Sequence, residues 1–592
     1  MTDHSVLSLL NRLWSHLSYR RRLQVTALVF LMLISSIAEI ISIGATLPFL
    51  AVLTAPNRVF AHPNAQPIIH AFGIDTPEDL LLPLTVAFCV AALIAGSTRL
   101  LLTWASTRVS FASGSDLSMG IYQRTLYQPY AVHVARNSSE VINGIVTKAS
   151  GVIYGVIGPT LSLVSSTVIL VAILAVMFSV EPAISLVAFG GFGAIYGVIV
   201  WLTRTQKNKN SKRIARESTQ VLKSLQEGLG GIRDVLINGS QTAYCQIYRS
   251  ADHPLRRAQG SNQFIAQAPR FGIEALGMVL IAALAYVMAL QPEGISTAIP
   301  VLGALALGAQ RMLPVMQLAY ASLTSIQGGQ DSLRDTLDLL DQPLPEYANQ
   351  ASPAPLPFKR NIRFNKLSFR YSPETQWILR DLNLSIEKGS RVGIIGTTGS
   401  GKSTLLDIVM GLLAPTEGAL IVDDQNITIE NLRSWQANIA HVPQAIFLTD
   451  NSIEENIAFG IPKEQIDHKR VRQAARQAQI ADIIEDWPRQ YETLVGERGI
   501  RISGGQRQRI GIARALYKKA DVIIFDEATS ALDGETEGAV MHAIEGLGPD
   551  LTILIVAHRL TTLKNCTEIV EIGDGRILRA GSYEEIVSNE VL

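Results

Sequence analysis

The octet Gly396-Thr397-Thr398-Gly399-Ser400-Gly401-Lys402-Ser403 restricts the fold of this chain more than any other stretch. It follows an apolar, β-branched run, Arg391-Val392-Gly393-Ile394-Ile395, and precedes a helix-forming run that begins Thr404-Leu405-Leu406. A strand that turns through glycines into a helix aims several backbone N–H groups at one point, and the helix N-terminus adds partial positive charge there. Such a point suits phosphate. The pattern G-x-x-x-x-G-K-[ST] in this setting predicts that residues 396–401 cradle the phosphates of a nucleotide, with Thr404 just inside the helix. It also predicts that Lys402 reaches the β- and γ-phosphates and that Ser403 holds Mg²⁺. A glycine-rich turn that matched by chance would lack these flanks.

At 592 residues the chain exceeds a single hydrophobic core, so two or more domains are expected. The net charge is zero, which argues against a nucleic-acid partner, because such proteins carry a basic excess. Hydrophobic residues make up 48%, and the mean hydropathy of +0.24 calls for membrane spans. The three cysteines (Cys89, Cys245, Cys566) lie far apart and read as small buried hydrophobes, not as a disulfide or metal framework.

Residues 1–22 place Val6, Leu7, Leu10, Leu13, Trp14 and Leu17 at helical spacing ahead of Arg20-Arg21-Arg22. This predicts an amphipathic helix lying on the inner membrane face, with a soluble cap helix as the alternative. Residues 23–340 contain six apolar runs, at about 23–57, 80–104, 148–181, 182–203, 271–291 and 295–326. Each is long enough for a bilayer core, which needs about 20 apolar residues. Basic residues crowd the segment 204–257, whereas the opposite loops carry Asp75, Glu78, Asp79, Glu181 and Glu293. The positive-inside rule then sets both termini and the long loops 105–150 and 204–270 on the cytoplasmic side, as helices continuing the spans. The outer loop 54–80 is either a short amphipathic helix or an ordinary structured loop.

Charges inside or beside the spans are Glu39, Arg99, Arg270, Glu274 and Arg311. A buried charge there needs a partner or water, so these residues are candidates to line a substrate cavity. Snorkelling from a helix end, or Arg–Glu pairing, is the alternative for Arg99 and Arg270.

Residues 341–360 form a proline-rich linker, and residues 361–592 have the composition of an α/β domain. Tyr371, some 25 positions ahead of the octet, is a candidate to stack on an adenine ring. The buried strand Val522-Ile523-Ile524-Phe525 ends in Asp526-Glu527; Asp526 suits Mg²⁺ and Glu527 suits an attacking water. A further strand, 552–557, ends in His558, within reach of a γ-phosphate. Ile502-Ser503-Gly504-Gly505-Gln506 heads a helix read as Arg507 to Lys518 and offers a second phosphate-binding surface. One subunit cannot easily bring both surfaces to one phosphate. Two chains closing around shared nucleotides, as in a C2 dimer, can.

The octet, Gln444 in His441-Val442-Pro443-Gln444, the ISGGQ run, the Asp526-Glu527 strand end, Ser530-Ala531-Leu532-Asp533 and His558 occur in the order and spacing of the ATP-binding cassette transporters, and the whole chain resembles that family. Thr493-Leu494-Val495-Gly496-Glu497-Arg498-Gly499 resembles the segment of the exporter branch, and six spans fused to one cassette resemble a half-transporter. Ile502 stands where Leu is usual.

The resemblance implies an all-α six-helix transmembrane domain fused to an α/β P-loop nucleotide-binding domain in the inner membrane of a bacterium. It implies ATP and Mg²⁺ as cofactors, with Gln444 near the metal, and a second copy as partner. Glu527, His558 and Gln444 carry the hydrolytic role, and Ser503, Gly504, Gly505, Gln506 and Asp533 join the nucleotide site. Residues Ala38 to Leu50 resemble the flippases for lipid-linked oligosaccharides. That likeness implies an amphipathic, lipid-linked substrate and cavity-facing Arg99, Arg270 and Arg311. A multidrug or peptide exporter, or an ATP-gated channel or regulator, remains open at this point.

Overall fold

The computed structural model describes residues 6–54, 56–61, 66, 76–180, 182–289, 295–527, 534–546, 550–557 and 560–587. It divides into two compact units, residues 1–128 with 132–346 and residues 129–131 with 347–592. Of the outer loop 54–80, Pro56–Phe60 is a short helix, and residues 62–65 and 67–75 lie outside the described residues.

The described part of the first unit is helical. Its main elements are α1 (Val6–His16), α2 (Tyr19–Thr54), α3 (Leu81–Leu126), α4 (residues 138–180, with two π turns), α5 (Pro182–Gly230), α6 (Gln241–Gln267), α7 (Pro269–Ala289), α8 (Ile295–Gly328) and α9 (Gln330–Leu340). At 46 and 49 residues, α3 and α5 run well past the roughly 30 Å of a hydrocarbon core at about 1.5 Å per residue. Among the described residues three helices are long and apolar enough to cross a membrane: Tyr19–Ser42, Glu78–Leu126 and Ser138–Ala175.

Their packing is inside-out relative to a water-soluble core. On α2 the large residues Leu33, Ile34, Ile37 and Ile41 are exposed, whereas Ser35, Ala38 and Ser42 are buried. On α3, Leu93, Ile94, Leu100 and Leu101 are exposed, whereas Ala91 and Ala95 are buried. Small faces let adjacent helices approach closely, and large apolar faces are left for lipid.

One side of α1 packs on protein, whereas Leu7 and Trp14 stay exposed. Leu9 and Leu13 are buried in one cluster with Leu117 and Ile121 of α3 and Leu333, Leu337 and Leu340 of α9. Arg12 pairs with Asp338 at 2.7 Å and also with Asp341. Helical periodicity alone could not tell that part of this helix packs on α3 and α9. The cysteine expectation also needs correction: Cys89 and Cys245 are exposed, and only Cys566 packs against a core.

The second unit holds β1 (Asn361–Phe369), β2 (Leu379–Glu387), β3 (Arg391–Ile395), β4 (Glu417–Val422), β5 (Gln425–Asn426), β6 (Ile439–Val442), β7 (Val522–Asp526), β8 (Thr552–Val556), β9 (Glu568–Gly573) and β10 (Arg576–Gly581). An antiparallel sheet has the order β2-β1-β4-β5, and a second sheet has the order β10-β9-β3-β8-β7-β6. In the second sheet β9, β3, β8, β7 and β6 are parallel.

The period of two along these strands sorts side chains into two cores. Val392, Ile394, Val522, Ile524, Leu554 and Val556 join the cluster that takes in Leu405, Leu406 and Val409 of α10 (Lys402–Val409). Ile395, Ile523, Phe525, Ile553 and Ile555 join the cluster that takes in Ile510, Ile512 and Ala513 of α11 (Gly504–Lys518). The two phosphate-binding helix heads predicted from sequence therefore lie on opposite faces of one sheet.

Candidate functional site

β3 passes the chain into the octet, and α10 leaves it. Gly396, Gly399 and Gly401 have φ of +148°, +84° and +101°, values that L side chains rarely adopt. A Cβ on Gly396 would lie 2.1 Å from the carbonyl oxygen of Ile572, so only glycine lets the loop close onto the sheet. Lys402 is 8% exposed, and its Nζ donates to the carbonyls of Gly396 (2.8 Å) and Thr397 (2.9 Å). The ammonium is thus held across the loop by the chain it will serve. Ser400 is buried and its Oγ has no hydrogen-bond partner. An orphaned hydroxyl within a glycine-rich phosphate loop is what a phosphate oxygen would satisfy.

The neighbouring strand ends bring the other candidates to the same sheet edge. β8 lies between β3 and β7, and β6 flanks β7. The carboxyl ends of parallel strands are where ligands bind in such sheets. At the end of β7, burial and the charge of Glu527 push the Asp526 carboxyl up, with Lys402 opposing. Glu527 has φ of +50°, a strained value for a non-glycine residue. Its N–H donates to the carbonyl of Val556 at 3.0 Å, and its Oε2 accepts from Gln444 Nε2 at 2.5 Å. Gln444 follows β6, whose Val442 pairs with Phe525 of β7, so sheet register brings this amide to this carboxylate.

Tyr371 is 53% exposed and meets Phe369 edge-on at 5.1 Å, which fixes the ring while leaving a face open. Ser503 caps α11 in a capping box with Gln506: Gln506 N–H donates to Ser503 Oγ at 3.2 Å and Ser503 N–H donates to Gln506 Oε1 at 2.8 Å. The helix starts at Gly504, three residues ahead of the expected Arg507, because this box satisfies its first turn. His558 and Asp533 lie outside the described residues.

Among the described residues no group of three or more His, Cys, Asp or Glu could hold a metal ion. One carboxylate and the exposed Ser403 beside a phosphate loop still fit Mg²⁺, which usually takes few protein oxygens and completes its shell with phosphates and water.

Two residues that shape the site's surroundings escaped the sequence. Asp407 on α10 is half-buried, and burial together with the charge of Asp526 pushes its carboxyl up to about 6. The raised value means that the fold favours the protonated form, so this contribution to stability is complete below the unfolded value of 3.8 and lost as pH rises through about 6. Asp407→Asn should therefore raise Tm at pH 8 by the equivalent of about 1 kcal/mol after solvent screening, and change little at pH 4. Calorimetry of the nucleotide-free, metal-free protein reads this; an equal effect at both pH values would contradict it.

Arg514 anchors α11. It donates from Nε to the carbonyl of Asn456 (2.9 Å) and from Nη1 to that of Phe447 (3.0 Å), and its guanidinium lies 4.5 Å from the Phe459 ring centroid. Burial lowers it to about 10. Arg514→Met should cost about 2–4 kcal/mol by stranding two carbonyls. Denaturant unfolding measures this, and a wild-type midpoint would refute the anchoring role.

Of the substrate candidates, Glu39 is buried on α2 beside Ser35, Ser36 and Ser42, and Arg99 is exposed on α3. The Arg270 guanidinium donates to Glu274 at 2.8 Å, the local pairing raised as an alternative. The side chain of Arg311 lies outside the described residues.

The geometry defines an α/β nucleotide-binding unit on a chain whose other unit is a bundle of membrane helices. Two family models match the sequence: ABC transporter over residues 379–530 and ABC transporter transmembrane region over residues 23–294. The ATP-dependent lipid A-core flippase of Alkalilimnicola ehrlichii is 31% identical over 434 residues, 72% of each chain. That of Cupriavidus metallidurans is 29% identical over 521 residues, 85% of this chain and 84% of its own. The heterocyst differentiation ATP-binding protein HepA of Nostoc sp. is 28% identical across 98% of this chain and 94% of its own. A solved structure of a bacterial Atm1-family ABC exporter with ATP bound has a TM-score of 0.76 at 23% identity and 96% coverage of both chains, a likeness of fold. The chain belongs to the ABC transporter family. It is an integral membrane protein that couples ATP hydrolysis to transport, with an exporter-type transmembrane domain fused to its ATP-binding cassette.

Proposed function

We propose that the protein is an ATP-driven flippase for a phosphate-bearing glycolipid, working as a homodimer in a bacterial inner membrane. Each copy contributes six spans, with both termini cytoplasmic. ATP binds the 396–404 loop and Tyr371 of one copy and is covered by Ser503, Gly504, Gly505 and Gln506 of the other. The observation that carries the dimer is the placement of α10 and α11 on opposite faces of one sheet, where one chain cannot bring both helix heads to one phosphate.

In this reading Lys402 leaves the carbonyls of the loop to meet the β- and γ-phosphates. Glu527, oriented by Gln444, takes the proton of the attacking water, and His558 and Asp533 complete the site beside the γ-phosphate. Ser403, Asp526 and Gln444 would hold Mg²⁺, which neutralises charge developing on the phosphates. Closure favoured by ATP moves the helices 130–135 and 232–237 with the cytoplasmic loops and switches the face to which the cavity opens.

Charges in the spans and the lipid A-core flippase relatives support a glycolipid with an anionic head, met by Arg99 and Arg311, with Glu39 accepting from its sugar hydroxyls. Proteoliposomes test the substrate class. ATPase activity should rise with polyprenyl-diphosphate glycans or phosphorylated glycolipids and not with uncharged drugs. Stimulation by diverse amphiphilic drugs alone would favour a multidrug exporter instead.

A further inference from the structure

Strand β1 ends at Phe369, and the chain leaves it through Arg370 and Tyr371 into a loop that returns at Ile378. The Ile378 N–H donates to the carbonyl of Phe369 at 2.9 Å and closes the root of the loop. At its tip the Thr375 N–H donates to the carbonyl of Ser372 at 3.1 Å, and the Ser372 N–H donates to Thr375 Oγ1 at 3.0 Å. The tip is thus a turn closed on itself. These bonds shape the two ends of the loop but do not tie its arms together.

Arg370 does. Its Nη1 donates to the carbonyl of Pro373, on the outgoing arm, at 2.9 Å. Its guanidinium carbon lies 4.5 Å from the ring centroid of Trp377, on the returning arm. A planar guanidinium can stack on a ring and donate from its edge at once, which an ammonium cannot. The stack and the Pro373 bond hold it there although its Nε is out of water with no hydrogen-bond partner. The main chain of Arg370 is fixed as well: its N–H donates to Thr416 Oγ1 at 3.1 Å, and the Thr416 hydroxyl donates to its carbonyl at 3.3 Å.

Tyr371 is the next residue. The rings of Phe369 and Tyr371 meet, so these two side chains share one side of the chain, and Arg370 between them points to the other. Phe369 is buried in the core and gives the Tyr371 ring one fixed neighbour. The shape of the loop that carries Tyr371 away from that neighbour depends on Arg370. A ring that has to be ordered on binding costs affinity, whereas a ring already in place does not.

We propose that Arg370 is a positioning residue for the nucleobase. By bridging Pro373 and Trp377 it holds the loop 371–377 in one shape, so that Tyr371 is in place before ATP arrives, and it touches neither base nor phosphate itself. The assignment rests on the reading of Tyr371 as the ring that stacks on adenine, and names what keeps that ring in place.

The test measures KM and kcat for ATP hydrolysis by full-length protein in phosphatidylcholine nanodiscs. Arg370→Met should raise KM roughly three- to tenfold and leave kcat within about twofold, which also shows that the variant is folded. Arg370→Lys keeps the charge but not the planar fork, and should match Arg370→Met rather than wild type. Tyr371→Leu should itself raise KM, and adding Arg370→Met to it should change KM by less than about twofold, because the two residues act as one unit.

A wild-type KM for Arg370→Met or for Arg370→Lys, with Tyr371→Leu impaired, would overturn the positioning role and leave the adenine reading intact. So would an effect of Arg370→Met that is as large without the Tyr371 ring as with it, or one that falls on kcat. A wild-type KM for Tyr371→Leu would overturn both.

Discussion

Glu527→Gln is expected to bind ATP with wild-type affinity and to hydrolyse it roughly 10²–10⁴-fold more slowly, the range contributed by a positioned general base. The substitution keeps the shape of the side chain but removes the carboxylate that accepts from Gln444 at 2.5 Å. The strained φ of +50° at this residue depends on backbone, including the N–H bond to Val556, so the amide should hold the same position. Single-turnover hydrolysis alongside equilibrium nucleotide binding separates the two steps. Undiminished turnover would remove Glu527 from the role of base and leave Asp526 to be tested next.

Lys402→Met is the complementary case, in which binding itself should fail. Methionine preserves the buried stem but cannot bridge the carbonyls of Gly396 and Thr397, nor answer phosphate charge. Loss of charge-assisted hydrogen bonds should weaken ATP by roughly 10- to 150-fold. Titration with a fluorescent nucleotide reads the change. Wild-type affinity would mean that loop N–H groups alone carry the phosphates.

The nucleotide unit was readable in the sequence because its chemistry is local. β3, the octet and α10 are consecutive; the Ser503–Gln506 capping box is equally local, yet it was passed over and the start of α11 placed three residues late. Buried runs such as 522–525 and 552–556 were recognisable as strands, but not which side chains faced which helix; the sheet sorts them by alternation into two cores. Asp407 was invisible because its neighbour Asp526 is brought to it by strand order, and a lone Asp on a short helix reads as solvent-facing. Lys207 reads as one more basic residue of a cytoplasmic loop, whereas the fold packs it against the Tyr320 ring. Helix α1 was equally readable, and the packing of Leu9 and Leu13 against α9 equally hidden. What the sequence lacks in each case is the identity of the surface that covers a side chain.

The central claim, that each ATP is held between two copies, is tested most directly by mixing two inactive chains. One carries Lys402→Met and the other Ser503→Arg, and differently tagged copies are co-expressed and the mixed dimers purified. Every chain is then defective, but a shared site pairs the intact loop of the second with the intact Ser503 of the first. The account predicts that each separate variant is inactive, whereas the mixed dimer recovers one of its two sites and measurable ATP hydrolysis. Mixed dimers as inactive as the separate variants would mean that each site is built within one chain, contrary to the account.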